Sequence, residues 1–255
     1  GLCVLFFMTM HKRYKEYLFA KEHPESEKSS EILESFTKNL TYTLAFCIAA
    51  FIVIPIIIYL PSYIPYVKCD GGGLKAILKN QTDMYVYHSK TVLDSTHPYS
   101  SKWYEWIIMK RPIWYYSGKV TDTIKEGISA FGNPLVWWTG IPAVIYTIYK
   151  AVKYKDSNAI FLVTAYFAQL IPWIFVDRVV FIYHYFPCVP FLVLCIGYSI
   201  SELYKRSEKT KYAAIVYAAA VIGMFLMFYP VLSGMSVNSA MVDKYLRWFS
   251  SWVLI

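Results

Sequence analysis

Arg178 and His184 are the side chains of this sequence best placed to do chemistry, because both sit in an apolar run, DRVVFIYHYFPCVPFLVL. Ionisable groups at or within such a run are costly to bury and usually face a bundle interior or a wet cavity. An arginine there can take a phosphate in bidentate fashion. It can equally snorkel to the membrane interface or pair with Asp177. His184 can serve a polar cleft or be a neutral imidazole bonded to a neighbouring helix. On an ideal helix Arg178 and Tyr185 share a face and His184 does not, so one common site requires the turn before them to bend. The second concentration is HPYSSKWYEWIIMKRPIW, which packs three tryptophans, two tyrosines, a histidine and three cations between His97 and Trp114. Amphipathic rings beside cations suit the membrane–water interface, where cations meet phosphates. That composition fits either a loop lying on the bilayer or the lip of a site.

The elements that must position these groups are membrane spans. The chain is 57% hydrophobic, 19% aromatic and only 16% charged, far below the roughly 25% charge of a soluble domain. Its +8 net charge is therefore read loop by loop, and no nucleic-acid partner is expected. GLCVLFFMTM reads as the end of a truncated span, and the chain as a C-terminal portion of something longer. Residues 1–38 are that span and a cytoplasmic loop, whose hydrophilic part (11–38) carries six Lys/Arg and six Glu. Residues 39–60 are long and apolar enough to cross a bilayer. Pro55 is tolerable inside a bundle, and Pro61 and Pro65 end the helix.

Residues 61–133 are never apolar long enough to cross. CDGGG at 69–73 reads as a turn, Leu74 to Leu78 can start a short helix, and YVYHS at 85–89 can be extended. A loop of this length is usually functional, and interfacial helices are expected in it, notably around Trp103 to Lys110. Residues 134–255 hold four more spans, at 134–152, 159–176, 179–203 and 212–232, and a short amphipathic tail. The expected fold is thus an all-α polytopic helix bundle of about five complete spans plus one truncated, with a long outer loop. The short loops 150–156 and 205–211 carry three and four Lys/Arg and the Asp177–Arg178 turn one. The positive-inside rule puts those two loops in the cytoplasm, and the turn, the long loop and the tail outside.

Several residue types carry less. Cys3, Cys47, Cys69, Cys188 and Cys195 show no CxxC spacing, so neither a metal centre nor a disulfide framework is expected. Trp137, Trp138, Trp173, Tyr183 and Tyr185 fall near the outer rim, as an aromatic belt or as a surface for sugar faces. The outer acids Asp70, Asp83, Asp94, Glu105, Asp122, Glu126, Asp177 and Asp243 form no evident pair. The sequons at Asn39 and Asn80 are weak patterns.

In order, HPYSSKWYEWIIMKRPIWYYSG, GNPLVWWTGIPA, DRVVFIYHYFPCVPFLVL and DKYLRWFSSWVL resemble the C-terminal part of the protein O-mannosyltransferases. These are membrane glycosyltransferases that use dolichyl- or polyprenyl-phosphate-mannose. The resemblance implies transfer of mannose from the lipid-phosphate carrier to Ser or Thr hydroxyls on the outer face. It implies donor or substrate binding by His97, Ser101, Trp103 and Trp106 in the loop, Arg111 after it, and Arg178, His184 and Tyr185 in the fourth span. The family's catalytic Asp-Glu pair lies in a first outer loop near the N-terminus, so no catalytic residue is assigned here. No metal or cofactor is implied beyond the lipid-linked sugar. Residues 61–133 are too short for the β-trefoil module of eukaryotic members, which implies a bacterial-type relative in the cell membrane. Two alternatives stay open: a related transferase with another lipid-linked sugar and a cell-envelope glycan acceptor, and a non-enzymatic transporter half or assembly subunit. Partners are accordingly the bilayer, the donor lipid and a protein or glycan acceptor.

Overall fold

The computed structural model describes residues 2–69, 72–93 and 95–255. The acids Asp70 and Asp94, and part of the 69–73 turn, lie outside the described residues. The chain divides into two units, Leu2–Thr91 and Val92–Ile255, each described by itself.

In the first unit the hydrophilic segment is not an open loop. It continues two helices, α1 (Leu2–Glu22) and α2 (Glu27–Val67), which turn back on each other. Arg13 ties them, donating to Asn39 O at 3.1 Å and Thr43 Oγ1 at 2.6 Å. The span expected at 39–60 is the apolar part of α2. Pro55 follows a widened π turn at Ala49–Val53, which absorbs the hydrogen bond a proline cannot donate. Pro61 does not end the helix. The break falls at Tyr63, and one further turn, Ile64–Val67, completes it. The expected helix start at Leu74 is present as α3 (Leu74–Val86). The stretch expected to be extended at 85–89 continues it as a wide helical turn, Tyr87–Thr91, where Ser89 Oγ donates to Tyr85 O.

The second unit is a four-helix bundle with an apron of loop and sheet at one end. After α4 (Trp103–Ile107) the long loop forms a hairpin, β1 (Ile113–Lys119) and β2 (Ile124–Ala130). Its antiparallel register runs from Ile113 opposite Ala130 to Lys119 opposite Lys125. A short β3 (Val237–Asn238) adds to β2. The interfacial helix expected around Trp103 to Lys110 is present as α4, whereas the hairpin after it was not expected: aromatic and β-branched residues at 113–116 favour a pleated surface.

The spans are α5 (Pro134–Tyr154), α6 (Ser157–Phe175), α7 (Ile182–Tyr204) and α8 (Thr210–Ser233); with α2 they make, among the described residues, five helices long and apolar enough to cross a membrane. Asn133 caps α5 by accepting from Leu135 N at 3.0 Å, with Pro134 in the first turn, where its missing N–H costs nothing. Asp156 caps α6 through Ala159 N at 2.9 Å. Gly234, in the left-handed region at φ 77°, closes α8. Gly140 lets α5 pack closely on Leu192 of α7. At the end of the bundle away from the sheet, Glu202 takes Lys150 and Lys205 at 2.5 Å each.

Candidate functional site

Two stretches come together at the sheet end of the bundle. Between α6 and α7, residues 176–181 are not helical, so the turn bends as a common site requires. Ser101 N donates to Val180 O at 2.9 Å and stitches the HPYSS loop to this turn. The indole Nε1 of Trp106 then donates to Ser101 O at 2.8 Å and Ser101 Oγ at 3.1 Å.

Trp106 lies on the short helix α4, which main-chain carbonyls at 106 and 108–110 tie to its surroundings. Indoles and a hydroxyl from elsewhere take them. Trp137 Nε1 donates to Trp106 O at 2.8 Å, Trp138 Nε1 to Ile108 O at 3.3 Å and Trp252 Nε1 to Met109 O at 3.0 Å. Ser251 Oγ donates to Lys110 O. Met109 has φ 55° and turns the chain out of α4 toward β1. Three tryptophans, two of which read as belt residues, are thus the brackets that seat α4 on the bundle. Trp137 is only 3% exposed.

Between α4 and the bent turn opens a cleft of about 540 Å³, lined by Ser100, Lys102, Trp103, Trp173, Asp177 and Arg178 among others. Arg178 is half-buried, and its Nη1 donates to Val179 O at 3.3 Å. Among the described residues no carboxylate lies within 4.0 Å of its guanidinium, Asp177 included. Lys102 is a second cation on the cleft, and Trp103 and Trp173 give it aromatic walls. Glu105, also on the wall, accepts from Lys102 N at 2.8 Å and pairs with Lys110. Partial burial pushes its carboxyl up, but the Lys110 and Lys102 hydrogen bonds and the nearby Lys110 and Arg111 charges hold it below its usual value.

The other expected residues take different places. His184 stands behind the cleft wall, stacked on Trp106 with centroids 5.9 Å apart and edge-on to Trp173 at 4.3 Å, its Nδ1 3.1 Å from the Phe181 N–H. His97 meets Phe181 edge-on at 5.0 Å and accepts from Tyr99 N. Arg111 donates to Pro98 O at 2.7 Å and so braces the loop. Tyr185 is turned away. It is 1% exposed, packs on Trp137 and shares a 2.6 Å hydroxyl–hydroxyl bond with Tyr166 inside the bundle. The cleft therefore unites Ser101, Trp103 and Arg178, with Trp106 and His184 behind them. His97 and Arg111 brace the loop, and Tyr185 belongs to the core. Lys102 was missed, although it stands between two of the expected residues. Among the described residues no cluster of His, Cys, Asp and Glu has the spacing to hold a metal ion.

Comparison with known proteins gives a consistent result. The family described as the C-terminal four-transmembrane region of protein-O-mannosyltransferase matches residues 74–252. A polyprenol-phosphate-mannose–protein mannosyltransferase of Corynebacterium glutamicum is 27% identical over 170 residues, covering 62% of this chain and 32% of its own. The protein of that name from Mycolicibacterium smegmatis is 24% identical over 236 residues, covering 78% and 46%. This chain thus spans a third to under a half of the length of these relatives. Among solved structures, the Saccharomyces cerevisiae protein O-mannosyltransferase Pmt1-Pmt2 complex bound to the sugar donor aligns with a TM-score of 0.56 at 21% identity. That alignment covers 69% of this chain and 26% of the other, a likeness of fold.

Proposed function

Because this chain belongs to the protein O-mannosyltransferase family, we propose that it forms the donor-gripping part of an integral-membrane mannosyltransferase. The donor is a polyprenyl-phosphate-linked mannose, and the acceptor a Ser or Thr hydroxyl of a protein on the outer face of a bacterial-type cell membrane. The observation that carries this reading is Arg178, a half-buried guanidinium on the cleft with no carboxylate within 4.0 Å among the described residues.

In the transfer the bond between mannose C1 and the phosphate oxygen breaks, and a bond from C1 to the acceptor hydroxyl oxygen forms. The hydroxyl proton passes to a carboxylate base, which the family resemblance places outside this stretch. The polyprenyl phosphate departs with the extra negative charge. Arg178, with Lys102 beside it, meets that charge as it develops, which lowers the barrier where a fixed cation is most effective. Trp103 and Trp173 offer flat apolar faces to the sugar or the first isoprene units. His184 and Trp106 hold Trp173 and the loop in register behind them.

The test is turnover of polyprenyl-phosphate-mannose with a Ser/Thr peptide by the full-length protein. Arg178→Ala should lower kcat/KM by roughly a hundredfold or more, the scale for loss of one charge-stabilising donor, and Arg178→Lys should restore part of it. Unchanged kinetics in Arg178→Ala would remove the residue from the mechanism.

A further inference from the structure

A second cavity lies in the other half of the bundle. It is a crevice of about 380 Å³ between α5, α7 and α8, lined by Ala143, Tyr146, Ile200, Leu203, Thr210 and Ala214 among others. Its far end is closed by the 2.7 Å bond between the hydroxyls of Thr139 and Tyr217. Its near end reaches Leu203, just before the connection KRSEKTK (residues 205–211), and Thr210 within it. An adjoining groove shares Ile200, Thr210 and Ala214 and carries Lys211 on its wall.

Two features point to an occupant. The walls are almost wholly apolar, with Ala143, Ile200, Leu203 and Ala214 among them. The mouth is cationic: Lys205 is held by Glu202, but among the described residues Arg206, Lys209 and Lys211 have no carboxylate within 4.0 Å, Glu208 of the same loop included. Apolar walls and a basic rim match the acyl chain and headgroup of an anionic phospholipid in that order. Basic pockets between spans at the positive end of a bundle bind such headgroups.

We propose that this crevice is a site for an anionic phospholipid, separate from the donor cleft and at the opposite end of the bundle. One acyl chain fills the space between α5, α7 and α8, and the headgroup meets Lys211 on the wall of the adjoining groove, with Lys209 two residues before it on the same connection. The lipid would wedge α8 against α5 and α7, an end at which Lys150 and Glu202 already join α5 to α7.

The test uses the full-length protein, delipidated and then incubated with vesicles of phosphatidylglycerol or of phosphatidylcholine with the same acyl chains. Bound lipid is counted by native mass spectrometry. Phosphatidylglycerol should be retained roughly tenfold or more over phosphatidylcholine, the effect of two cations at a lipid surface. The double change Lys209→Gln and Lys211→Gln should remove that preference, while Lys125→Gln, a cation on the distant hairpin, should leave it. Ala214→Trp should reduce retention of both lipids. Equal retention of the two lipids, or a preference that survives the double change, would overturn the proposal. So would a copy-to-copy dimer that Ala214→Trp disrupts with lipid retention unaltered.

Discussion

At the scale of single residues, the tryptophans divide by what their indole N–H reaches rather than by their position along the spans. Trp137 closes a 2.8 Å bond on a buried carbonyl, whereas Trp138 makes a 3.3 Å bond near the surface. Trp137→Phe should therefore destabilise the protein by about 0.5–1.5 kcal/mol, since it removes one of the two donors to a buried carbonyl that also accepts from Met109 N, and Trp138→Phe by less. Thermal unfolding in detergent measures both, and equal losses would contradict the bracket role. Glu105 gives a pH dependence. Its folded carboxyl titrates lower than usual, so its contribution to seating the loop is complete above the ordinary glutamate range, near about 4.3. That contribution is lost only as pH falls through the lower folded value. Tryptophan fluorescence from the 103–106 segment should hold through pH 5 (about the upper edge of that range) and change below it. Glu105→Gln should abolish the acid step, and a step that persists in that variant would assign it elsewhere. Arg178 stands out in the sequence because an arginine in an apolar run is costly to bury, and the structure places it on the cleft. Tyr185 was misplaced because neighbouring residues on a tight 3₁₀ turn, Ile182–Cys188, point in directions that an ideal α-helix does not give.

At the scale of elements, the spans were legible and the apron was not. Runs of apolar residues bounded by basic loops fixed the four C-terminal spans to within a few residues of α5 to α8. The helical hairpin of α1 and α2 was hidden by its charge, because a hydrophilic helix and a hydrophilic loop differ little in composition. The sheet was hidden for another reason. β1 is mostly exposed along its length, so it lacks the alternation that marks a half-buried strand. The tail completes the apron: Ser129 Oγ donates to Val253 O at 2.8 Å, and Trp252 and Leu254 are fully buried. Gly127 is the narrow point, since a Cβ there would stand 2.2 Å from Leu254 O and 2.8 Å from Ile255 Cα. Both obstacles are main chain, so Gly127→Ala should lift the tail at a cost of about 1–3 kcal/mol. Limited proteolysis after Arg247 should then speed up, and an unchanged cleavage rate would mean the tail is not held against β2.

At the scale of the whole second unit, one end of the bundle gathers the cleft at Arg178, the sheet and the tail, and the other gathers the basic loops. This segregation follows from connectivity: the spans alternate in direction, so loops of one kind must share an end. The charge bias among those loops was readable in the sequence, whereas the cleft itself was not. It exists because Ser101 bonds to Val180 across a long stretch of intervening chain, and no local pattern announces such a contact. The central claim is that this cleft grips the phosphate of a lipid-linked sugar through Arg178. The most direct measurement is the affinity of the full-length protein for polyprenyl phosphate, compared between Arg178→Ala and Lys119→Ala, a cation on the hairpin already paired with Asp122. Loss of a hydrogen-bonded charge partner in a partly buried site should raise Kd by roughly tenfold or more in Arg178→Ala and leave it unchanged in Lys119→Ala. Equal affinity in the two variants would contradict the account.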